Sequence, residues 1–450
     1  MNHTPSKHGV YFLELELENV RCFGPKVKID LRDPKDPSKP ARWTVLVGEN
    51  GVGKTTVLRS LFILRRHASN WLFKTKRKTL IVHSSEYSHS IYGWQVGRSD
   101  FEAEMSVQLG HSENILNSSK SLGSDFRIQF KPGTDADGIS YWGRRRIRID
   151  DLELAFEAFG YGASRHMSVK AIEDNTMANV STTLFRENEE LTNASELFHQ
   201  TYITSQKEGD GRLHETLKSI ILSVLPNVTE IRTAKGSGLT WRAEVETPYG
   251  WVWIHDLSLG YKTMVAWIVD FASKLFLLYP NSPNPLAEPA VCLVDEIDLH
   301  MHPTWQRKIM GFLTSTFPNT QFIVTAHSPL MVQAAAEANV VLLTREGDHV
   351  VVNNEPQIVK NWSVDQILAS VFGISGRTEA TEKNMERRRE LLGQSARTPE
   401  EQLELERLEV DLEGYSSLKS SEELEAASLI REFADIIKRK KQSPADDQNP

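Results

Sequence analysis

Cysteine is scarce in this 450-residue chain, which contains Cys22 and Cys292 and no others. The two stand far apart in the sequence, and Cys292 lies inside an apolar run, so they do not indicate a disulfide framework. The N-terminus also lacks the basic segment followed by an apolar one that is typical of a secretory signal. We therefore expect a reducing compartment, the cytoplasm.

Long apolar runs and an excess of positive charge are missing as well. The most apolar helical segment, residues 264–279, contains Asp270 and Lys274 and is too short to span a bilayer. With 52 Lys and Arg against 60 Asp and Glu, the net charge is −8. That charge argues against a chain coated with nucleic acid, although it leaves room for local basic patches. We expect a soluble protein with no membrane partner.

A phosphate-binding loop follows the apolar run 43–47. Residues 48–56 read G-E-N-G-V-G-K-T-T, match G-x-x-x-x-G-K-[ST], and are followed by a helical pattern. Glycine lets the backbone curl around a phosphate, and the N-terminus of the next helix adds partial positive charge. The motif predicts an ATP site with Mg²⁺, in which Lys54 reaches the β- and γ-phosphates and the Thr55 hydroxyl binds the ion. The predicted loop contacts are Gly48, Asn50, Gly51, Gly53, Lys54, Thr55 and Thr56.

A second apolar run, residues 290–294, ends in Asp295 and Glu296. A phosphate-loop enzyme needs acidic residues at such a strand end. We expect Asp295 to hold the Mg²⁺ shell and Glu296 to orient and polarise the attacking water. His327 follows the next β-branched strand, where it can reach the γ-phosphate or the water. An isolated histidine there would ordinarily be a loop residue, but its place in this series favours a catalytic role beside Glu296 and Lys54.

Residues 256–262, D-L-S-L-G-Y-K, precede a helical pattern and place Ser258 and Gly260 at a helix N-terminus, a natural anion site. A serine N-cap explains Ser258 alone, but not the ordered series of motifs. That series resembles the ABC-type ATPase head of transporters, SMC proteins and Rad50, where the Leu-Ser-x-Gly signature of one subunit caps ATP held by another. The resemblance implies that Ser258 and Gly260 bind the γ-phosphate in trans and that Asp298 is the D-loop acid at the dimer interface.

A finer resemblance is to bacterial AAA-type ATPases of the overcoming-lysogenization-defect group, and within it to the ATPase subunit of Septu-type and related retron anti-phage systems. It is carried by residues 295–306 and 325–329, and by residues 19–23, 161–165 and 362–368. It implies an ATPase that assembles with itself through its ATP sites, as a dimer or a larger complex. It also implies that ATP state gates a separately encoded nuclease, of the HNH type or another, during phage infection.

We find no nuclease motif in the chain itself. Nucleases of the same group carry a C-terminal Toprim domain with an Asp-x-Asp, and no Asp-x-Asp follows His327. Asp135 and Asp137 stand in a glycine-rich stretch that is typical of a turn. His300 and His302 lack the further ligands that zinc would need. We therefore expect nuclease chemistry to come from a partner.

Two other functions stay open at this point. The SMC and Rad50 resemblance also fits an ATP-gated DNA-binding clamp of DNA repair, with no dedicated nuclease. Basic clusters at residues 74–78, 144–148 and 438–441 are candidate nucleic-acid patches, although no aromatic stacking platform is evident. A transporter ATPase is disfavoured by the long spacer between the motifs and by the acidic helical tail. The signature also departs from the usual one of transporters, with Leu259 and Tyr261 in place of Gly and Gln.

The predicted fold class is α/β, an ABC/SMC-like P-loop ATPase head with an inserted α+β lobe and a helical C-terminal extension. We expect residues 1–65 to form the N-terminal half of the head and residues 66–250 the inserted lobe. Residues 251–360 would complete the head with the signature, the acidic strand end, the D-loop and His327. Residues 361–450 would be a helical assembly or partner region with a polar tail, in which leucines between 386 and 412 favour a helical hairpin.

Overall fold

The computed structural model describes residues 8–74, 103–112, 120–130, 139–143, 154–155, 157–169, 183–236, 241–335, 337–354, 363–372, 378–394 and 397–413. The chain divides into two compact units, Met1–Ile374 and Ser375–Pro450. The basic clusters at 144–148 and 438–441 lie outside the described residues, and so do residues 75–78 of the first cluster.

The strands and helices of the described residues are as follows, in chain order. The strands are β1 (His8–Glu18), β2 (Val27–Asp30), β3 (Arg32–Asp33), β4 (Asp36–Pro40), β5 (Trp43–Gly48), β6 (Ala103–Ser112), β7 (Lys120–Phe130), β8 (Ile139–Gly143), β9 (Leu154–Ala155), β10 (Ala158–Tyr161), β11 (Ile231–Lys235), β12 (Trp241–Thr247), β13 (Gly250–Trp253), β14 (Ala290–Val294), β15 (Thr320–Thr325), β16 (Asn339–Glu346) and β17 (His349–Asn353). The α-helices are α1 (Lys54–Lys74), α2 (Ala194–Glu208), α3 (Arg212–Val224), α4 (Leu259–Leu278), α5 (Pro303–Thr316), α6 (Pro329–Ala334), α7 (Val364–Val371), α8 (Glu379–Gly393) and α9 (Pro399–Glu413).

A mainly parallel sheet carries the nucleotide motifs, in the strand order β10-β14-β15-β5-β16-β17. The pairs from β10 to β16 are parallel, and β17 is antiparallel to β16. Every residue of β5, β14 and β15 is buried. Strands covered on both faces read as continuous apolar runs, which is why the sequence shows these three so clearly.

Two hydrophobic cores lie on the two faces of this sheet, because successive side chains of a strand point to opposite sides. Val291 and Leu293 of β14 pack with α1 and with strands β1, β2 and β6 of the antiparallel sheet β2-β1-β6-β7-β8. Cys292 and Val294 of the same strand pack with α4, α5 and the helices α2 and α3. The phosphate-loop helix and the signature helix therefore lie on opposite faces of β14, the strand that precedes Asp295.

A smaller lobe leads into the signature helix. Its antiparallel sheet β11-β12-β13 packs against α2, where the Ala243 amide donates to the Ser195 hydroxyl at 2.7 Å. A single 3₁₀ turn, Ile254–Asp256, joins β13 to the start of α4. The outer face of the sheet carries Arg232 over the Trp251 ring, with its charge paired to Glu244. This arginine–tryptophan stack was not predicted, and its paired charge gives no argument for nucleic acid.

The second unit contains an antiparallel helical hairpin, as the leucine pattern predicts. Helices α8 and α9 pack through Leu391, Leu405 and Leu408. The Arg387 side chain donates to both carboxylate oxygens of Glu404 at 3.0 Å. In the part of the chain that the structure describes, no helix combines the length and apolarity needed to cross a membrane.

Candidate nucleotide site

The loop between β5 and α1 needs glycine at three positions. Gly48, Gly51 and Gly53 have φ values of 144°, 81° and 88°, a region that residues with a Cβ rarely adopt. A Cβ on Gly48 would also collide with the Leu343 carbonyl, and one on Gly53 with the Cys22 thiol. The loop can therefore take this compact shape only with glycine, and its open side is left free of side chains at Gly51.

Lys54 is held inside this loop, with 6% of its surface exposed. Its ammonium donates to the carbonyl oxygens of Gly48 at 2.8 Å and Glu49 at 2.7 Å. Burial lowers the pKa of Lys54, while the carboxylates of Asp295, Glu296 and Asp298 act in the opposite direction. The ammonium is thus held by the phosphate loop itself and lines the cleft, from which a phosphate-loop lysine reaches the β- and γ-phosphates.

Asp295 connects the phosphate loop to the two central strands. The Thr55 hydroxyl donates to one carboxylate oxygen of Asp295 at 2.7 Å, and the Thr325 hydroxyl donates to the other at 2.7 Å. Thr325 also accepts from the Glu296 amide at 2.6 Å. Thr55 and Asp295, the residues predicted to bind Mg²⁺, are therefore in contact, whereas the role of Thr325 was not predicted.

Glu296 follows Asp295 in a left-handed backbone conformation, with φ of 47°. A residue with a Cβ is strained in this region of backbone conformation, and such strained residues cluster at functional sites. One Glu296 carboxylate oxygen lies 3.9 Å from His327 Nε2, and both side chains are about one-third exposed. The two predicted catalytic groups therefore face the same open space.

One carboxylate oxygen of Asp298 is engaged within its own chain. This oxygen accepts from the backbone amides of His327 at 2.9 Å and Ser328 at 2.6 Å. The residue is 8% exposed. In addition to the interface role that the resemblance implies, Asp298 thus shapes the loop that presents His327.

A cleft of about 330 Å³ opens above these groups. The residues predicted from sequence that line it are Asn50, Gly51, Gly53, Lys54, Thr55, Thr56, Asp295, Glu296 and His327. Gly48 lies behind the loop, where its carbonyl holds Lys54. Arg21 and Cys22 also line the cleft, although no role was predicted for them. The only sign of them in the sequence was the family-like segment 19–23.

Ser258 and Gly260 do not line this cleft. Ser258 is the exposed N-cap residue of α4, and its hydroxyl makes no capping hydrogen bond. Gly260 packs so closely on the D-loop that a Cβ would collide with the His300 carbonyl. A single chain therefore brings together every predicted site residue except the two of the signature, which lie at a separate surface.

Arg165 is the largest contribution to the site that was not predicted. The side chain is 1% exposed, and its guanidinium donates to the carbonyl oxygens of Asp295 and Glu296. The segment 161–165 was noted only as part of the family resemblance. A contact to backbone carbonyls leaves no pattern in the sequence, so no other signal pointed to it.

The fold and the cleft define a P-loop ATPase head of the ABC/SMC type, as predicted. The chain belongs to the RecF/RecN/SMC N-terminal domain family, whose model matches residues 13–350. The match contains β5, the phosphate loop, the signature and the D-loop, and it confirms the predicted fold class.

Relatives bear out the finer resemblance. The chain is 26% identical to the retron Vc95 probable ATPase of Vibrio cholerae serotype O1 biovar El Tor over 392 residues, covering 73% of this chain and 76% of that protein. It is 25% identical to the Septu protein PtuA of Bacillus mycoides (strain KBAB4) over 368 residues, covering 80% of this chain and 44% of that protein. The chain thus spans less than half the length of this second relative. The retron Ec83 probable ATPase of Escherichia coli is 51% identical over 88 residues, 20% of this chain and 16% of that protein.

Solved SMC heads also align with the chain. An SMC head bound to the C-terminal winged-helix domain of ScpA is 18% identical, with a TM-score of 0.43, and the alignment covers 76% of this chain and 97% of that one. The SMC head domain of Thermotoga maritima is 14% identical, with a TM-score of 0.38 and coverage of 76% and 98%.

Proposed function

We propose that this chain binds and hydrolyses ATP with Mg²⁺, and that it is the regulatory ATPase subunit of an anti-phage defence complex. One observation carries the proposal. Lys54, Thr55, Asp295, Glu296 and His327 come from three separate segments of the chain and line a single cleft. Such a convergence is what phosphoryl transfer needs, since positioning and charge stabilisation supply most of its catalysis.

The residues present fit a magnesium–nucleotide complex. The glycine loop lets phosphates approach its backbone closely. Helix α1 begins at Lys54, and the partial positive charge of its N-terminus favours an anion. Thr55 and Asp295 offer the hard oxygen ligands that Mg²⁺ prefers. When bound, the ion would offset the negative charge of the phosphate oxygens.

Side chains of the protein would stabilise the phosphate charge and position the attacking water. Lys54 places a positive charge against the β- and γ-phosphates, where charge accumulates during transfer. The Glu296 carboxylate accepts a hydrogen bond from the attacking water and aligns it with the γ-phosphate. His327, 3.9 Å from Glu296, is within reach of the same water or of a γ-phosphate oxygen.

The signature would complete the site from a second copy of the chain. Ser258 and Gly260 lie outside the cleft of their own chain, at an exposed helix N-terminus whose serine hydroxyl makes no cap bond. A phosphate group suits such a terminus. ATP would then stabilise the interface between the two chains by mass action.

The defence role rests on the relatives and on the sequence. One retron ATPase, of the Vc95 retron, and one Septu protein, PtuA of Bacillus mycoides, are similar to this chain over most of its length. The resemblance to Septu-type and retron systems is the ground for assigning the DNA-cutting group to a separately encoded nuclease. We propose that ATP-dependent assembly of this chain gates that nuclease.

Removal of the Lys54 ammonium tests the proposed hydrolysis of ATP. Lys54→Ala should lower ATP turnover by at least about 100-fold, because the phosphate charge loses its buried partner. Turnover would be measured as phosphate release by the purified protein. Lys39→Ala serves as the control, since Lys39 pairs with Asp36 at the surface and does not line the cleft. Unchanged turnover in Lys54→Ala would contradict the ATPase assignment.

The same pair of variants tests the defence role. The chain would be expressed with the products of its neighbouring genes, and phage plating and co-purification would be followed. Protection that is lost with Lys54→Ala and kept with Lys39→Ala, together with a co-purified nuclease, supports gating. Protection that survives Lys54→Ala would contradict gating by ATP while leaving the ATPase assignment intact.

An ATP-gated DNA clamp is the second candidate, because the family model that matches the chain is that of RecF, RecN and SMC proteins. A clamp would bind duplex DNA by itself in an ATP-dependent manner and would need no nuclease. DNA binding by the Glu296→Gln variant with ATP, in the absence of any partner, would favour this reading.

A further inference from the structure

Arg165 is a buried charged residue to which the proposed mechanism assigns no role. It lies in the loop after β10, the edge strand that pairs with β14. The end of β10 already holds the start of the acidic loop, since the Asp295 amide donates to the Tyr161 carbonyl at 2.8 Å. Four residues later, Arg165 reaches the same loop with its side chain.

The guanidinium contacts the two residues on which hydrolysis depends. Nη1 donates to the Asp295 carbonyl, and Nη2 donates to the Glu296 carbonyl at 2.9 Å. The Glu296 carbonyl also accepts from the Leu299 amide, which closes the turn after it. Because the planar guanidinium offers two donors in a rigid fork, it fixes the two successive carbonyls relative to each other.

That constraint acts on a strained part of the backbone. Glu296 has φ of 47°, a conformation that persists only if its surroundings enforce it. Rotation of Glu296 back to an ordinary conformation would move its carbonyl away from Nη2 and would turn its carboxylate away from His327.

Arg165 also places positive charge beneath an acidic cluster. Burial lowers the pKa of Arg165 to about 10, while Asp295, Asp298 and Glu296 hold it up, so that the group stays charged at neutral pH. The charge offsets part of the repulsion among these carboxylates. No phosphate-facing role follows from this, since Arg165 does not line the cleft.

We propose that Arg165 is a positioning residue for ATP hydrolysis, which holds the Asp295–Glu296 backbone in the left-handed turn that aims the Glu296 carboxylate at the attacking water. The inference rests on the proposed ATPase function. It concerns the chemical step and not nucleotide binding, because the phosphate contacts would come from the loop 48–56, whereas Arg165 does not line the cleft.

The experiment compares Arg165→Met and Arg165→Lys with variants of a second arginine of similar bonding. Arg42 donates from Nη2 to the carbonyls of Thr314 at 2.8 Å and Pro318 at 2.6 Å. It precedes β5, so the whole length of that strand, about 20 Å, separates it from the phosphate loop. Arg42→Met therefore reports what the loss of a carbonyl-binding arginine does to the fold alone.

We expect Arg165→Met to lower kcat by about 10–100-fold, the range found when a group that orients a catalytic ligand is removed. KM for ATP, and the affinity for ATP measured in a Glu296→Gln background that hydrolyses it only very slowly, should stay within about threefold of their reference values. Arg165→Lys should recover part of kcat, because one ammonium can hold only one carbonyl well. Arg42→Met should lower the melting temperature without this loss of kcat.

A double-mutant cycle decides whether Arg165 acts through Glu296. In the Glu296→Gln background, Arg165→Met should lower the residual turnover by less than about threefold, because the group that it positions has already lost its function. An equal fold-loss in both backgrounds overturns the proposal, and so does a loss of ATP affinity that accounts for the loss of turnover.

Two further outcomes are separable. If Arg165→Met does not fold, the kcat and KM of Arg165→Lys decide in its place, and unchanged kcat in that variant overturns the proposal. If the unmutated protein does not hydrolyse ATP, the proposed function itself fails, whatever the arginine variants do.

Discussion

At the scale of single residues, the site depends on groups that hold the acidic pair as much as on the pair itself. The Thr325 hydroxyl lies between Asp295 and Glu296, donating to the first and accepting from the second. Thr325 is fully buried at the end of β15. A hydroxyl in this place fixes one acid's side chain and the next acid's backbone together.

Thr325→Val should therefore impair hydrolysis while keeping the shape of the side chain. The buried Asp295 oxygen and Glu296 amide each lose a partner, which costs about 1–3 kcal/mol for each unsatisfied group. Thr325→Ser, which keeps the hydroxyl, should retain most of the turnover. Phosphate release and urea unfolding of the two variants check this, and equal turnover in Val and Ser would show that the hydroxyl is not needed.

Predictability differed among these residues for a physical reason. Lys54, Thr55, Asp295 and Glu296 were found because phosphate chemistry demands those side chains at fixed spacing from a strand end. Thr325 was predicted only as part of the β-branched strand before His327 and of the family-like segment 325–329. Its hydroxyl reaches Asp295 because β15 pairs with β14, and the pairing of these two strands cannot be read from the sequence.

At the scale of elements, the signature helix α4 contains a buried ion pair whose carboxylate is hydrogen-bonded to β10, the strand beside β14. Asp270 of α4 accepts from the Lys274 ammonium at 2.9 Å and from the Tyr161 hydroxyl at 2.8 Å. Its other oxygen accepts from Thr192 at 2.7 Å. Burial, with the Asp270 charge, raises the pKa of Tyr161 well above its ordinary value, so that it remains a donor. In the sequence these charges served only to exclude a membrane helix.

Asp270→Asn should destabilise the protein strongly, by about 3–5 kcal/mol, because the Lys274 charge is left buried without its counter-ion. Adding Lys274→Met should recover much of that loss, since the double variant buries no charge. Urea denaturation midpoints of the two variants provide the measurement. A double variant no more stable than Asp270→Asn would mean that the ion pair is not the source of the effect.

The parallel strands β5, β14 and β15 were predicted from their apolar runs, and the order of motifs predicted the head to which they belong. β10 was not identified. It has four residues, and it lies within 66–250, the range expected to be an inserted lobe, yet its hydrogen bonds are to β14. Pairing between segments about 130 residues apart leaves no local pattern for so short a strand.

At the scale of the whole molecule, the separation of Ser258 from the cleft makes assembly testable by mixing. Lys54→Ala chains and Ser258→Arg chains should each be inactive alone, because each lacks one half of every site. Mixed pairs contain one site with Lys54 from the Ser258→Arg chain and the signature from the Lys54→Ala chain. Partial recovery of ATP turnover on mixing is therefore expected if each site acts independently.

The control mixes Lys54→Ala with the double variant Lys54→Ala/Ser258→Arg, a pair that contains no complete site and should stay inactive. Size-exclusion chromatography with light scattering would verify that mixed pairs form. If they form without any recovery of turnover, either hydrolysis needs both sites or the signature does not act in trans. A structure with ATP, showing where Ser258 lies, separates these two explanations.

The exposed start of α4 and the cleft also have a consequence for symmetry. If two chains exchange signatures reciprocally, each gives its partner the same surface that it receives, so the contact is isologous and is closed by a two-fold axis. Such a pair holds two ATP molecules and leaves no open end for a third chain to join. The nucleotide sites can thus produce a dimer but no filament or ring. Any larger complex must be built through a different surface, one whose occupancy does not depend directly on ATP.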